Sequence, residues 1–416
     1  VKPIPQALAL ADSLAAELSD PRTVWAAAPT GGRAWPQSLA GGAAGIALLH
    51  IERAHAGRGD WDTVHTWLAA AAHGDLTAAD NSSLYMGAPA LAFVMNAAAG
   101  DSGRYQRALK KLDDATLAVT RRRLAAAHAR LESGASPEMK EFDVIRGLTG
   151  LAAYHRTRHP HHLLTIEALA YLVRLTEPRP QTAGGLPPWW TGMAPNGEPS
   201  EDYPGGHGNL GMAHGIGSVL ALLSLTLLDG PAVPGTREAV ERICAWTDEW
   251  LQHDATGPWW PGLITPDQAR SHHVDPALRP RPSWCYGIAG TARVQQLAGL
   301  ALDDATRRRT AETALLTTLQ NPAQLDALTD TGLCHGTAGL LHAAWRMTAD
   351  STSPATANAL SAELPRLTDR LTHQLDHLSD RDPELLDGLT GSALALQTVG
   401  TNTAPLSTWD TFLLLA

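Results

Sequence analysis

A glycine turn followed by an apolar helix recurs seven times along the 416 residues, and this repeat limits the chain to few folds. The turns begin at Gly42-Ala43-Ala44-Gly45, Gly87-Ala88-Pro89-Ala90, Gly147-Leu148-Thr149-Gly150, Gly215-Ile216-Gly217-Ser218, Gly287-Ile288-Ala289-Gly290, Gly336-Thr337-Ala338-Gly339 and Gly388-Leu389-Thr390-Gly391. Successive starts lie roughly 45 to 70 residues apart, a spacing that suits helix-pair repeats with variable loops. The segments after the turns, such as Val219-Leu220-Ala221-Leu222-Leu223, are apolar on most faces and predict buried helices. Ahead of the turns lie amphipathic patterns at 5–18, 62–72, 104–132, 162–175, 236–253, 305–319 and 355–377. Their charged faces predict an outer layer.

Seven inner and seven outer helices predict an all-α chain, an (α/α)7 toroid spanning 1–416 as one domain. Closure removes the end faces that an open solenoid must cap. Glycine at the turns permits φ > 0 and lets a helix start approach its neighbours closely. The turns then gather where helix dipoles favour negative charge. Two long Pro/Gly/Trp-rich segments, 181–209 and 256–284, are expected over that end, as cleft walls or as packed loops.

Two of the turns carry soft metal donors: Trp284-Cys285-Tyr286-Gly287 and Cys334-His335-Gly336. Two thiols and one imidazole suit zinc, and three protein ligands leave a fourth position open, as in catalytic rather than structural zinc sites. Three cysteines in so long a chain make no disulfide framework. The third, Cys244, lies in an apolar helical pattern and reads as core packing. Net charge is −10 without a basic block, which argues against nucleic acid as a partner. There is no apolar run long enough to span a membrane and no signal-peptide pattern, which points to a cytoplasmic protein. Walker A, HExxH and dinucleotide patterns are absent, so no nucleotide or redox cofactor is expected.

Four motifs then carry a resemblance: Arg281-Pro282-Ser283-Trp284-Cys285-Tyr286-Gly287, Leu333-Cys334-His335-Gly336, Gly211-Met212-Ala213-His214-Gly215 and Phe142-Asp143-Val144-Ile145-Arg146-Gly147. Through these four motifs, which follow one another along the chain in the family's order and each on a repeat turn, the chain resembles the lanthionine synthetase C-like family along nearly its whole length. The resemblance implies an α/α toroid with Zn2+ as cofactor, held by Cys285, Cys334 and His335. It implies an acid/base pair, His214 and Asp143, with Arg281, Trp284 and Tyr286 as further cleft residues.

The implied chemistry adds a peptide cysteine thiol to dehydroalanine or dehydrobutyrine in the same peptide, closing a thioether ring. Only a thiolate attacks well, and binding at the open zinc position deprotonates a thiol. The enolate formed on attack needs a proton on its α-carbon, which a histidine is suited to give. The same pair could instead take the thiol's proton, and the sequence leaves both roles open. Arg281 could stabilise the enolate oxygen. The implied partner is a dehydrated lanthipeptide precursor peptide, with a separate dehydratase supplying it. Two alternatives use the same motifs: a glutathione-adding relative, and a zinc-containing peptide-binding scaffold without catalysis. The acid/base pair counts against the scaffold. His207, near His214, is a second acid/base candidate, and His272-His273 read as solvent-facing loop residues. Trp189, Trp190, Trp259 and Trp260 read as loop anchors or an apolar wall.

Overall fold

Each of the seven turn glycines is the N-cap of a helix. The structure, a computed structural model, describes residues 2–27, 36–178 and 185–416, so residues 181–184 of the first long loop lie outside it. It divides into two compact units, Val1–Thr116 with Pro322–Thr411, and Leu117–Asn321 with Phe412–Ala416. In the first unit Gly42, Gly87, Gly336 and Gly388 open Ala43–His55, Ala88–Ala99, Thr337–Asp350 and Leu389–Thr401. In the second, Gly147, Gly215 and Gly287 open Leu148–Arg158, Ile216–Asp229 and Ile288–Ala301.

These helices are buried as their composition requires. Every residue from Leu389 to Gly400 is buried, and so is every residue from Ile288 to Gly299. Each leucine so enclosed contributes roughly 2 kcal/mol. The amphipathic helices bury one stripe only. Thr236–Glu249 encloses Ala239, Val240, Ile243, Cys244, Trp246 and Thr247 and leaves its other face in water.

The sequence pattern set an amphipathic helix ahead of each turn, but the packing pairs five of the inner helices with the helix after them. Ala43–His55 packs on Trp61–Ala71, and Thr337–Asp350 on Pro354–Asp376. Leu148–Arg158, Ile216–Asp229 and Ile288–Ala301 pack on Leu163–Leu175, Thr236–Glu249 and Ala305–Leu319. The last of these inner helices, Leu389–Thr401, takes Pro5–Glu17 as its cover. Gly400 makes this possible, because a Cβ there would stand 2.7 Å from the Leu8 nitrogen.

Left-handed backbone explains the turn glycines only once. Gly87 has φ 78°, while the other six have φ between −122° and −98°, open to any residue. Crowding is the general cause. At the closing glycines Gly290 and Gly339, a Cβ would collide with the carbonyl oxygens of Trp284 and Leu333.

The two long loops meet through a short ladder, with Gly208–Asn209 antiparallel to Leu263–Ile264. The helix expected over 236–253 stops at Glu249, because Gln252–Asp254 turns back on Gly257–Trp259 as a hairpin, with Gly257 at φ 104°. Trp189, Trp190, Trp259 and Trp260 are all buried. Trp189 meets Trp246 edge-on at 5.4 Å, and the Trp190 indole donates to the Gly205 carbonyl at 2.8 Å. The tryptophans therefore anchor the loops.

Candidate active site

Asp143 follows the short helix Met139–Phe142 and its carboxylate is almost fully buried. Oδ1 accepts from the backbone N–H groups of Arg146 (2.6 Å) and Gly147 (2.8 Å). Oδ2 lies 2.6 Å from Nδ1 of His214. A plain N-cap would use one oxygen on its own helix. Here the helix N-cap is Gly147, and Asp143 both closes the turn and holds a histidine from another repeat. The carboxylate accepts, so Nδ1 carries the proton and Nε2 keeps its lone pair. The His214 side chain remains 26% exposed.

The His214 turn is bolted to the Cys285 turn. The N–H groups of Met212 and Ala213 both donate to the Cys285 carbonyl, at 2.8 and 3.3 Å. Cys285 is buried, and its Sγ lies 3.5 Å from the Ser283 hydroxyl. Ser283 Oγ also accepts from the Tyr286 N–H at 3.4 Å. Tyr286 is half-buried, its ring packed against Gly211, where a Cβ would collide with it, and lying beside Gly262. Arg281 is exposed at the head of the same turn.

Cys334 and His335 sit at the Gly336 turn, where the Cys334 N–H donates to the Leu386 carbonyl at 2.9 Å. His335 lies between two carboxylates, with Nδ1 3.3 Å from Asp387 and Nε2 3.8 Å from Asp330. A ligand imidazole is commonly fixed by a carboxylate on its other nitrogen. Among the described residues, Cys285, Cys334 and His335 form a group that could hold a metal ion, their donor atoms all within 4.8 Å of one another. Donors on a tetrahedral zinc stand about 3.5–4 Å apart, given bonds of roughly 2.1–2.3 Å, so the set fits that ion.

The remaining sequence candidates separate cleanly. Trp284, expected in the cleft, is buried and its indole donates to the Leu413 carbonyl at 3.0 Å, which makes it a core anchor. His207 is wholly buried, and burial holds it down at about 4, so it stays neutral inside the loop. His272 and His273 are exposed, with His272 stacked on Trp250. Cys244 is buried, and desolvation pushes its thiol up to about 12. Sequence reasoning missed Asp387, Asp330 and Glu384. Burial, followed by Asp382 and Asp387, raises Glu384 to about 7. The acidic run Asp380-Arg381-Asp382-Pro383-Glu384 ahead of the last glycine turn was the available signal. Asn209 and Ser283 were missed too, because an uncharged buried side chain leaves no trace in spacing.

Residues 33–414 match the family of lanthionine synthetase C-like proteins. The chain is 26% identical over 264 residues to nisin biosynthesis protein NisC of Lactococcus lactis subsp. lactis, an alignment covering 62% of this chain and 60% of that protein. The matched stretch thus spans about three fifths of that relative's length. A solved structure named "Nisin cyclase" superposes with a TM-score of 0.78 at 20% identity, covering 99% of this chain and 98% of that one. That likeness shows the fold, and the all-α (α/α)7 toroid class expected from the seven turns is the class of this chain. No helix among the described residues is long and apolar enough to cross a membrane.

Proposed function

The chain belongs to the lanthionine synthetase C-like family, and from that premise we propose that it is a zinc-dependent lanthipeptide cyclase. Its reaction is the intramolecular addition of peptide cysteine thiols to dehydroalanine or dehydrobutyrine, giving lanthionine or methyllanthionine rings. The observation that carries the reading is the grouping of Cys285, Cys334 and His335 donors within 4.8 Å, with the Cys285 turn linked to an Asp-oriented histidine. Cys285, Cys334 and His335 would hold the ion, and a bound zinc supplies a substrate thiol that is deprotonated at neutral pH. The similarity to a nisin biosynthesis protein supports a dehydrated precursor peptide as substrate, its dehydrated residues made by a separate enzyme.

The chain's own residues then manage one proton. Addition breaks an S–H bond and the Cα=Cβ π bond, and forms a C–S bond at the β-carbon and a C–H bond at the α-carbon. The proton lost by sulfur equals the proton gained by carbon, so a single imidazole can serve both ends. His214 Nε2 is the atom for this transfer, since Nδ1 is committed to Asp143. Asp143, anchored by two backbone N–H groups, keeps the ring in one tautomer and stabilises it when charged. The exposed Arg281 cation is suited to the enolate oxygen, and Tyr286 forms the wall beside Cys285.

The test uses a dehydrated precursor peptide with thiol alkylation and mass spectrometry. His214→Ala is expected to keep its zinc and to slow thiol consumption by about 10²–10⁴-fold. Thiol loss at the wild-type rate removes His214 from the mechanism. Closure without added glutathione distinguishes a cyclase from a glutathione-adding enzyme.

A further inference from the structure

Asn209 lies in the sequence His207-Gly208-Asn209-Leu210-Gly211, just ahead of the turn that carries His214. Its side chain is buried, on the strand Gly208–Asn209 that pairs with Leu263–Ile264. Oδ1 accepts from the Gly211 N–H at 2.9 Å. Nδ2 donates to the Met139 sulfur at 3.2 Å. Gly211 begins the loop that carries His214, and Gly215, just past His214, presses on Asn209 so closely that a Cβ there would collide with the amide oxygen. Met139 opens the helix that carries Asp143, and the Met139 carbonyl accepts from the Asp143 N–H at 2.8 Å. One buried amide therefore touches both arms that bring His214 and Asp143 together.

We propose that Asn209 is a positioning residue for the His214–Asp143 pair, setting the separation at which Asp143 orients the ring. The inference rests on the acid/base reading of that pair. The geometry explains the choice of side chain. An amide offers a donor and an acceptor on one rigid plane, and both are needed here. Aspartate would lose the donor, and leucine of similar size would leave the Gly211 N–H buried without an acceptor. The strand pairing and the Leu210 N–H bond to the Gly262 carbonyl (3.0 Å) hold the backbone of this splint in place.

The test reads the tautomer of His214 by 15N NMR on protein labelled at its histidines, at alkaline pH, the signal being the one lost in His214→Asn, together with the rate of thiol consumption. The wild type should carry the ring proton on Nδ1, held by Asp143. Asp143→Ala is expected to lose that preference. Asn209→Ala is expected to mix the two tautomers and to slow thiol consumption by about tenfold. Met139→Leu keeps the volume, removes the sulfur acceptor and serves if Asn209→Ala does not fold; a smaller change of the same kind is expected. Leu210→Ala loses neighbouring packing without removing either Asn209 hydrogen bond, so it should lower stability and leave the tautomer unchanged. A wild-type tautomer in Asn209→Ala and Met139→Leu, beside a lost preference in Asp143→Ala, overturns the role of Asn209 alone. A wild-type tautomer in all three overturns the pair beneath it.

Discussion

Gly217→Ala separates helix propensity from crowding, because the two effects have opposite signs. Gly217 is the second residue of Ile216–Asp229 and lies three residues after His214. Propensity alone favours alanine by about 1 kcal/mol. A Cβ at Gly217 would stand 2.5 Å from the Leu210 oxygen, 2.9 Å from the Gly211 oxygen and 3.2 Å from the Gly211 carbonyl carbon. Ordinary contact begins almost an ångström further out, and all three obstacles are backbone. That backbone is tied by Leu210 N–H to Gly262, by Gly211 N–H to Asn209, and by the next two amides to Cys285. Overpacking against such atoms costs about 1–3 kcal/mol, so the net effect is a loss of roughly 1 kcal/mol or more. The displaced segment carries His214, and a shift near 1 Å in a catalytic group costs on the order of 10²-fold in rate. Urea unfolding and thiol consumption measure the two effects. Gly192→Ala is the control, since a Cβ there meets nothing within 4 Å. A Gly217→Ala protein that is more stable than wild type and closes rings at the same rate refutes the crowding argument.

Further expectations concern stability and thiol reactivity. Burial holds His50 down at about 4, with its Nε2–H donating to the Leu18 carbonyl at 2.8 Å. The folded value lies below the unfolded one, so stability is complete above about pH 6.5 and falls as pH drops toward 4, by up to about 3 kcal/mol. Denaturation midpoints at pH 7.5 and 5 check this, and His50→Gln should flatten the dependence. Asp410 is fully buried and accepts from His342 (2.7 Å) and twice from Arg346 (2.7 and 2.9 Å). Burial alone would raise its carboxyl; Arg346 and His342 outweigh that and hold it well below the usual range. Asp410→Asn strands the Arg346 charge and should cost about 3 kcal/mol, read as a lower urea midpoint. With its thiol near 12, Cys244 should resist iodoacetamide in the native protein while the half-exposed Cys334 of metal-free protein reacts, as peptide mapping would show.

The legible part of the molecule was what periodicity encodes. The turns at Gly42 to Gly388, the helices behind them and the helix class all follow from apolar runs that no solvent-facing helix could carry. The donors Cys285, Cys334 and His335 and the pair His214–Asp143 were legible because thiols, imidazoles and carboxylates on repeated turns are chemically distinctive. Other features were not legible. Whether an amphipathic helix covers the turn behind or ahead of it depends on packing, as Pro5–Glu17 on Leu389–Thr401 illustrates. The hairpin at Gln252–Asp254 depends on Gly257, whose positive φ is visible only in three dimensions. Trp284 is flanked by site residues in sequence, yet its indole turns inward to the Leu413 carbonyl, 129 residues away. Asn209 acts through contacts with Met139 and Gly211, and only the second is local in sequence.

The most direct measurement is the metal content of the purified protein, by plasma mass spectrometry, for the wild type and for Cys285→Ala and Cys334→Ala. About one zinc per chain is expected in the wild type, lost in both variants. Full zinc retention in both variants would contradict the assignment of these thiols as ligands, and with it the claim that this site activates a substrate thiol.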